Sequence, residues 1–114
     1  MKRPDPVLSL LSIAAKAGRV LSGTFAAERS VKQGRAGLVI LASDASENTK
    51  KKFRDACAYR GISIYEYADS ARLGGCIGKG DRVVVALEDE GFTAGLIKKL
   101  RAGDKAEALS EANL

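Results

Sequence analysis

Histidine and tryptophan are absent from this 114-residue chain, and cysteine occurs only twice. Without histidine the commonest general base and metal ligand are missing, so few catalytic routes remain. The expectation is a protein that is not an enzyme, with no catalytic residue, no metal site and no cofactor. Cys57 and Cys76 are too far apart for a CxxC redox pair and lack metal-ligand spacing. A reducing compartment would leave both as thiols, and Cys57 reads as a core residue. No stretch approaches the ~20 apolar residues that a membrane span needs. Lys2 and Arg3 precede a helical segment, but Ser9 and Ser12 interrupt it and no cleavage-like site follows. A signal peptide is therefore not expected, and the compartment is expected to be the cytoplasm.

What is present is enough for one core. Hydrophobic residues make up 46% of the chain, which suits a single folded domain over residues 1–103 with a polar C-terminal tail over 104–114, frayed or loosely helical. The net charge of +5 is unevenly placed. Residues 1–61 hold 12 Lys and Arg against 5 Asp and Glu, whereas 62–114 hold 7 against 9. A basic half of this kind suits a polyanion, because neutralised phosphates release counterions. The run Lys50-Lys51-Lys52 taken alone reads as a solvated helix face.

Hydrophobic periodicity switches regularly between helical and strand-like. Helices are expected over 6–16, 24–33, 46–59, 69–75 and 91–101, and strands over 20–21, 37–42, 62–67 and 82–87. In the first helix Leu8, Leu11, Ile13 and Ala14 or Ala15 should face inward; in the third, Phe53, Ala56 and Cys57. Asp44 and Glu47 suit the positive end of that third helix, and Asp55 reads as a surface partner. Alternation of helix and strand implies a partly parallel sheet covered by helices on both faces.

Two segments carry the candidate chemistry. Lys16-Ala-Gly-Arg-Val-Leu-Ser-Gly-Thr24 ends one helix, crosses a short strand and delivers Gly23 to the mouth of the next helix, an arrangement suited to anions. Arg29 and Lys32 follow one turn apart. Phe25 faces either outward, to stack on a base, or inward, as a staple for its helix. The second segment, Leu73-Gly-Gly-Cys-Ile-Gly-Lys-Gly80, has four glycines in seven residues, which lets backbone approach a ligand closely. It fits neither a Walker-type phosphate loop nor the dinucleotide fingerprint in spacing. Leu73 and Ile77 beside the glycines would be suited to cover an unstacked base, although a loop of this composition also serves as a plain tight connection. Lys79 adjoins Cys76, whose thiol would be reactive only if local charge lowered its pKa.

The Lys-x-Gly-Arg-x-x-x-Gly-Thr junction, the stop at Gly34 followed by an apolar strand, and the Leu73-Gly-x-x-x-Gly78 loop occur in an order similar to that of the kink-turn-binding family of large-subunit ribosomal proteins L7Ae and L30e. Asp44-Ala-Ser-x-Asn-Thr-Lys-Lys51 and Gly78-Lys-x-x-Arg-Val-Val-Val-Ala86 resemble its bacterial YlxQ-type branch. The resemblance covers residues 7–101. It implies a three-layer α-β-α sandwich with a mixed four-stranded sheet and a monomer that binds structured, ribosomal or kink-turn-like RNA. It further implies that Gly23 and Thr24 offer amides to phosphate, that Arg29 stands at the helix-two lysine position, that Arg19 supplies a second cation, and that Leu73, Gly74, Gly75, Cys76, Ile77, Gly78 and Lys79 form a second jaw. Phe25 and Ala26 stand where kink-turn binders carry Asn-Glu, and Gln33 replaces the closing arginine of that helix. Neither Phe25 nor Ala26 can hydrogen-bond a base edge through its side chain. A protein-interaction adaptor on the same fold is the alternative.

Overall fold

The computed structural model describes residues 4–110. The chain runs α1 (Pro6–Lys16), β1 (Val20–Ser22), α2 (Thr24–Lys32), β2 (Leu38–Leu41), α3 (Glu47–Arg60), β3 (Ser63–Glu66), α4 (Ser70–Gly75), β4 (Val84–Leu87), α5 (Glu90–Ala102) and β5 (Glu107–Ser110). Local chemistry sets most of these boundaries. Asp5, Ser46, Asp69 and Asp89 accept first-turn amides of α1, α3, α4 and α5, satisfying donors that the helix cannot. Gly61, in the left-handed region, stops α3.

The strands form one sheet in the order β1-β4-β2-β3-β5. β2 and β3 pair in parallel, and the other pairs are antiparallel. All four residues of β2 and of β4 are buried, as continuous apolar runs should be when both faces are covered. Alternation sends Leu38, Ile40, Val85 and Leu87 to one core with α1, α4 and α5. It sends Val39, Leu41, Val84 and Ala86 to the other, with α2 and α3, where Phe53 and Cys57 are fully buried. The architecture is thus the expected three-layer sandwich with a mixed sheet. Burial pushes the Cys57 thiol up to about 12, consistent with a core residue.

Three details differ from expectation. The sheet has five strands rather than four, because Glu107–Ser110 of the polar tail pairs with the free edge of β3 through a register shift at Ile64/Tyr65. Backbone pairing with an open edge outweighs the weak strand propensity of Glu-Ala-Leu-Ser. Residues 111–114 of that tail lie outside the described residues. Ile13 is 55% exposed rather than inward. The buried stripe of α1 runs Val7, Leu11, Ala14 at helical spacing, and Ile13 falls off it. Asp44 does not cap α3; its carboxylate accepts from the Ser70 amide at 2.9 Å and the Ser70 hydroxyl at 2.8 Å, tying the β2–α3 connection to the start of α4. Those two bonds, the hydroxyl's first, hold its pKa below the ordinary value.

Candidate functional site

β1 is an edge strand antiparallel to β4, so the end of β1 that feeds α2 meets the start of β4. The Gly23 amide donates to the Val84 carbonyl at 3.0 Å, and Arg82 Nε donates to Ser22 Oγ at 3.3 Å. At the same end the Ala42 amide donates to the Val83 carbonyl, and the Arg82 amide to the Ser70 carbonyl. The starts of α2, α3 and α4 and the turn over 76–83 therefore gather at one end of the sheet. Each helix start adds partial positive charge there.

The mouth of α2 differs from every other helix start among the described residues. Its N-cap is Gly23, at φ 93°, and no side chain accepts its first-turn amides. A backbone of that sign strains any residue but glycine, and glycine brings no capping oxygen. Thr24 is exposed and Phe25 is 78% exposed, so Phe25 is no inward staple. Ala27, Ser30 and Val31 take the buried stripe instead.

A groove of about 310 Å³ follows the outer face of α2, lined by Leu21, Phe25, Arg29, Gln33, Arg35 and Glu88. Arg29 and Gln33 are exposed within it. Lys32 does not join them. It pairs with Glu28 at 3.1 Å, whose other oxygen takes Lys52 of α3 at 2.9 Å. The Lys52 hydrogen bond first, then that of Lys32, holds the Glu28 carboxyl below its ordinary value. The two cations expected to act together thus separate: Arg29 faces the groove, and Lys32 an ion pair within α2 that Lys52 of α3 shares through Glu28. Arg19 lies at the other end of β1, where its carbonyl accepts from the Glu88 amide at 3.0 Å. It therefore neighbours the far end of the groove, not the mouth of α2.

The glycine segment is tighter than its composition suggested. Leu73 is fully buried in the α1/α5 core, so its side chain cannot cover a base. Its position on α4 puts it under the sheet rather than beside the turn. Gly74 is buried as well, and a Cβ there would lie 1.8 Å from the Gly80 carbonyl oxygen. The Ile77 and Lys79 amides donate to the Gly74 carbonyl at 3.2 and 2.9 Å, closing the turn on itself. Gly75, Gly78 and Lys79 are exposed, while Ile77 and Cys76 are half-buried. The Cys76 thiol donates to the Leu73 carbonyl at 3.2 Å. Burial, and then the Asp5 carboxylate, raise its pKa, so this is not an activated nucleophile.

Sequence reasoning missed Arg82, which couples turn to helix mouth, and the Ser30–Glu88 pair. A serine on the buried stripe of α2 and a glutamate directly after a buried strand were the available signals. A cavity of about 1140 Å³ lies on the opposite face beside Asp5, Tyr67, Arg72, Lys99 and Lys105. Its central polar groups are engaged with one another: the Tyr67 hydroxyl donates to Asp5 at 2.6 Å, and Arg72 donates to the same oxygen at 3.3 Å. Among the described residues no group of three or more His, Cys, Asp or Glu is placed to hold a metal ion, and no helix is long and apolar enough to cross a membrane.

Residues 5–97 match the family model described as the ribosomal protein L7Ae/L30e/S12e/Gadd45 family. The chain belongs to this family. Within the L7Ae family it is of the bacterial YlxQ type, being 43% identical over 91 residues to "RNA-binding protein YlxQ" of Bacillus subtilis (strain 168), a match covering 80% of this chain and 91% of that protein. The protein of the same name from Enterococcus faecium is 34% identical over 85 residues, covering 75% and 82%. Among solved structures, a protein of unknown function from Bacillus halodurans C superposes with a TM-score of 0.82 at 38% identity, covering 84% of this chain and 97% of that one. The Giardia lamblia 15.5kD RNA binding protein shares the L7Ae fold, with a TM-score of 0.73 at 22% identity over 85% and 86% of the two chains.

Proposed function

We propose that this chain is a non-catalytic, monomeric, cytoplasmic RNA-binding protein that holds structured RNA, ribosomal or kink-turn-like, along the β1 edge of its sheet. The observation that carries the reading is the open mouth of α2, which combines first-turn amides without a side-chain acceptor and a 78% exposed phenylalanine. The amides suit a phosphate, and the ring suits an unpaired base. The names of the Bacillus and Enterococcus relatives support the same substrate class. Arg29 supplies a phosphate contact along the helix, and Gly75, Gly78 and Lys79 of the turn offer main chain and one cation as the opposing jaw. Phe25 and Ala26 replace polar base readout by stacking, worth about 1–3 kcal/mol per base.

Fluorescence anisotropy against a kink-turn, a plain duplex of equal length and a single strand, each at low and physiological salt, tests this. Preference for the folded RNA that survives added salt is expected. Equal and strongly salt-sensitive binding to all three would reduce the interface to counterion release. Absence of binding would overturn the reading in favour of the protein-interaction adaptor.

A further inference from the structure

One carboxylate in the α2 groove is out of place for a surface that only collects phosphates. Glu88 shares the groove with Arg29 and Arg35, yet it makes no ion pair among the described residues. Instead Ser30, a buried residue of α2, donates its hydroxyl to Glu88 Oε2 at 2.5 Å. That bond orients the carboxylate and leaves Oε1, together with a lone pair of Oε2, unengaged. A carboxylate held beside two guanidinium groups without neutralising either is suited to a ligand with donors of its own.

We propose that the groove reads an unpaired guanine of the bound RNA, with Phe25 stacked on the base and Glu88 accepting from its Watson–Crick edge. The inference rests on the RNA-binding reading above and names the base at that site. Ionised glutamate is an acceptor only. Of the four bases, guanine alone presents two adjacent donors, N1–H and the 2-amino group, which one carboxylate accepts together. Adenine and cytosine place a ring acceptor beside their amino group, and uracil flanks its imino group with carbonyls, so each meets Glu88 with a repulsive lone pair. Phe25, Ser30 and Glu88 line the same groove, so a base stacked on the first is offered to the carboxylate fixed by the second. Arg29 and Arg35, on the rim, take the flanking phosphates. The volume is at the low end of small-ligand sites, which run from about 300 to 1,000 Å³, as befits one base open to its strand.

The test is a hairpin RNA carrying a single bulged nucleotide, varied as guanine, adenine, cytosine, uracil or hypoxanthine, and titrated into the full chain by anisotropy at physiological salt. Guanine should bind about tenfold tighter than adenine, cytosine or uracil. Hypoxanthine, which keeps N1–H but lacks the 2-amino group, should fall between. In Glu88→Gln, which retains an acceptor for Ser30 but turns an amide donor toward the base, the four natural bulges should come within about twofold of one another. Equal affinity for all bulges in the unaltered chain, hypoxanthine as tight as guanine, or a guanine preference that survives in Glu88→Gln would each overturn the assignment while leaving RNA binding intact. Loss of binding to every RNA would overturn both it and the reading beneath it.

Discussion

The two segments that flank the start of β4 solve opposite problems. The α2 side turns its chemistry outward: no capping side chain, Phe25 in solvent, Arg29 in the groove. The α4 side turns its chemistry inward: Leu73 in the core, Cys76 bonded to the backbone of its own turn, and Gly74 against the Gly80 carbonyl. On the proposed reading, one side meets RNA through side chains, and the other, a structural brace, through main chain and shape. Substitution should separate the two.

The largest effects should fall on the brace. Leu73→Ala should cost about 2–5 kcal/mol of stability in urea unfolding, and Gly74→Ala about 1–3 kcal/mol or more, because its new Cβ meets backbone rather than a flexible side chain. RNA affinity of the folded fraction should change little in Leu73→Ala; a loss comparable to that of Phe25→Ala would break the distinction. Asp5→Ala comes next, at about 2 kcal/mol, since it uncaps α1, strands the Tyr67 hydroxyl and releases Arg72 of α4. Burial alone would raise the Asp5 pKa, but the bonds from Tyr67 and from the Leu8 and Val7 amides, with Arg72, bring it below the ordinary aspartate value. A depressed pKa gives stability that is complete above the unfolded value, about 3.9, and lost as pH falls through the folded one. Thermal melts of Asp5→Asn from neutral pH downward should accordingly show a shallower acid limb than the unaltered chain.

On the recognition side stability should hold and binding should fall. Phe25→Ala should lose about 1–3 kcal/mol of RNA affinity with the unfolding free energy in urea changed by no more than about 0.5 kcal/mol. Arg29→Ala should weaken all RNAs alike and lower the salt slope by about one phosphate contact. Lys32→Ala should do less than Arg29→Ala, because its ammonium is shared with Glu28; an equal change in slope would show that the ion pair opens when RNA binds.

Much of this was legible from residues alone. The buried strands of Leu38–Leu41 and Val84–Leu87 and the glycine before α2 are local signals, set by hydrophobic period and backbone freedom within a few residues. The family resemblance was carried by the order of those same signals. Phe25 was legible as a candidate but not as exposed, because its direction depends on which stripe of α2 packs on the sheet.

The layers and a partly parallel sheet follow from the alternation of helical and strand-like segments along the chain, and the glycine at the mouth of α2 from the residues beside it. Packing alone put Leu73 in the core, parted Arg29 from Lys32, joined Glu107–Ser110 to the sheet and set Ser30 against Glu88. Apart from the Lys32–Glu28 pair, which lies within α2, these depend on partners from other elements, 58 residues away in the Ser30–Glu88 bond. Pairing at that separation is selected by the whole packing rather than by local preference, so no window of sequence contains it.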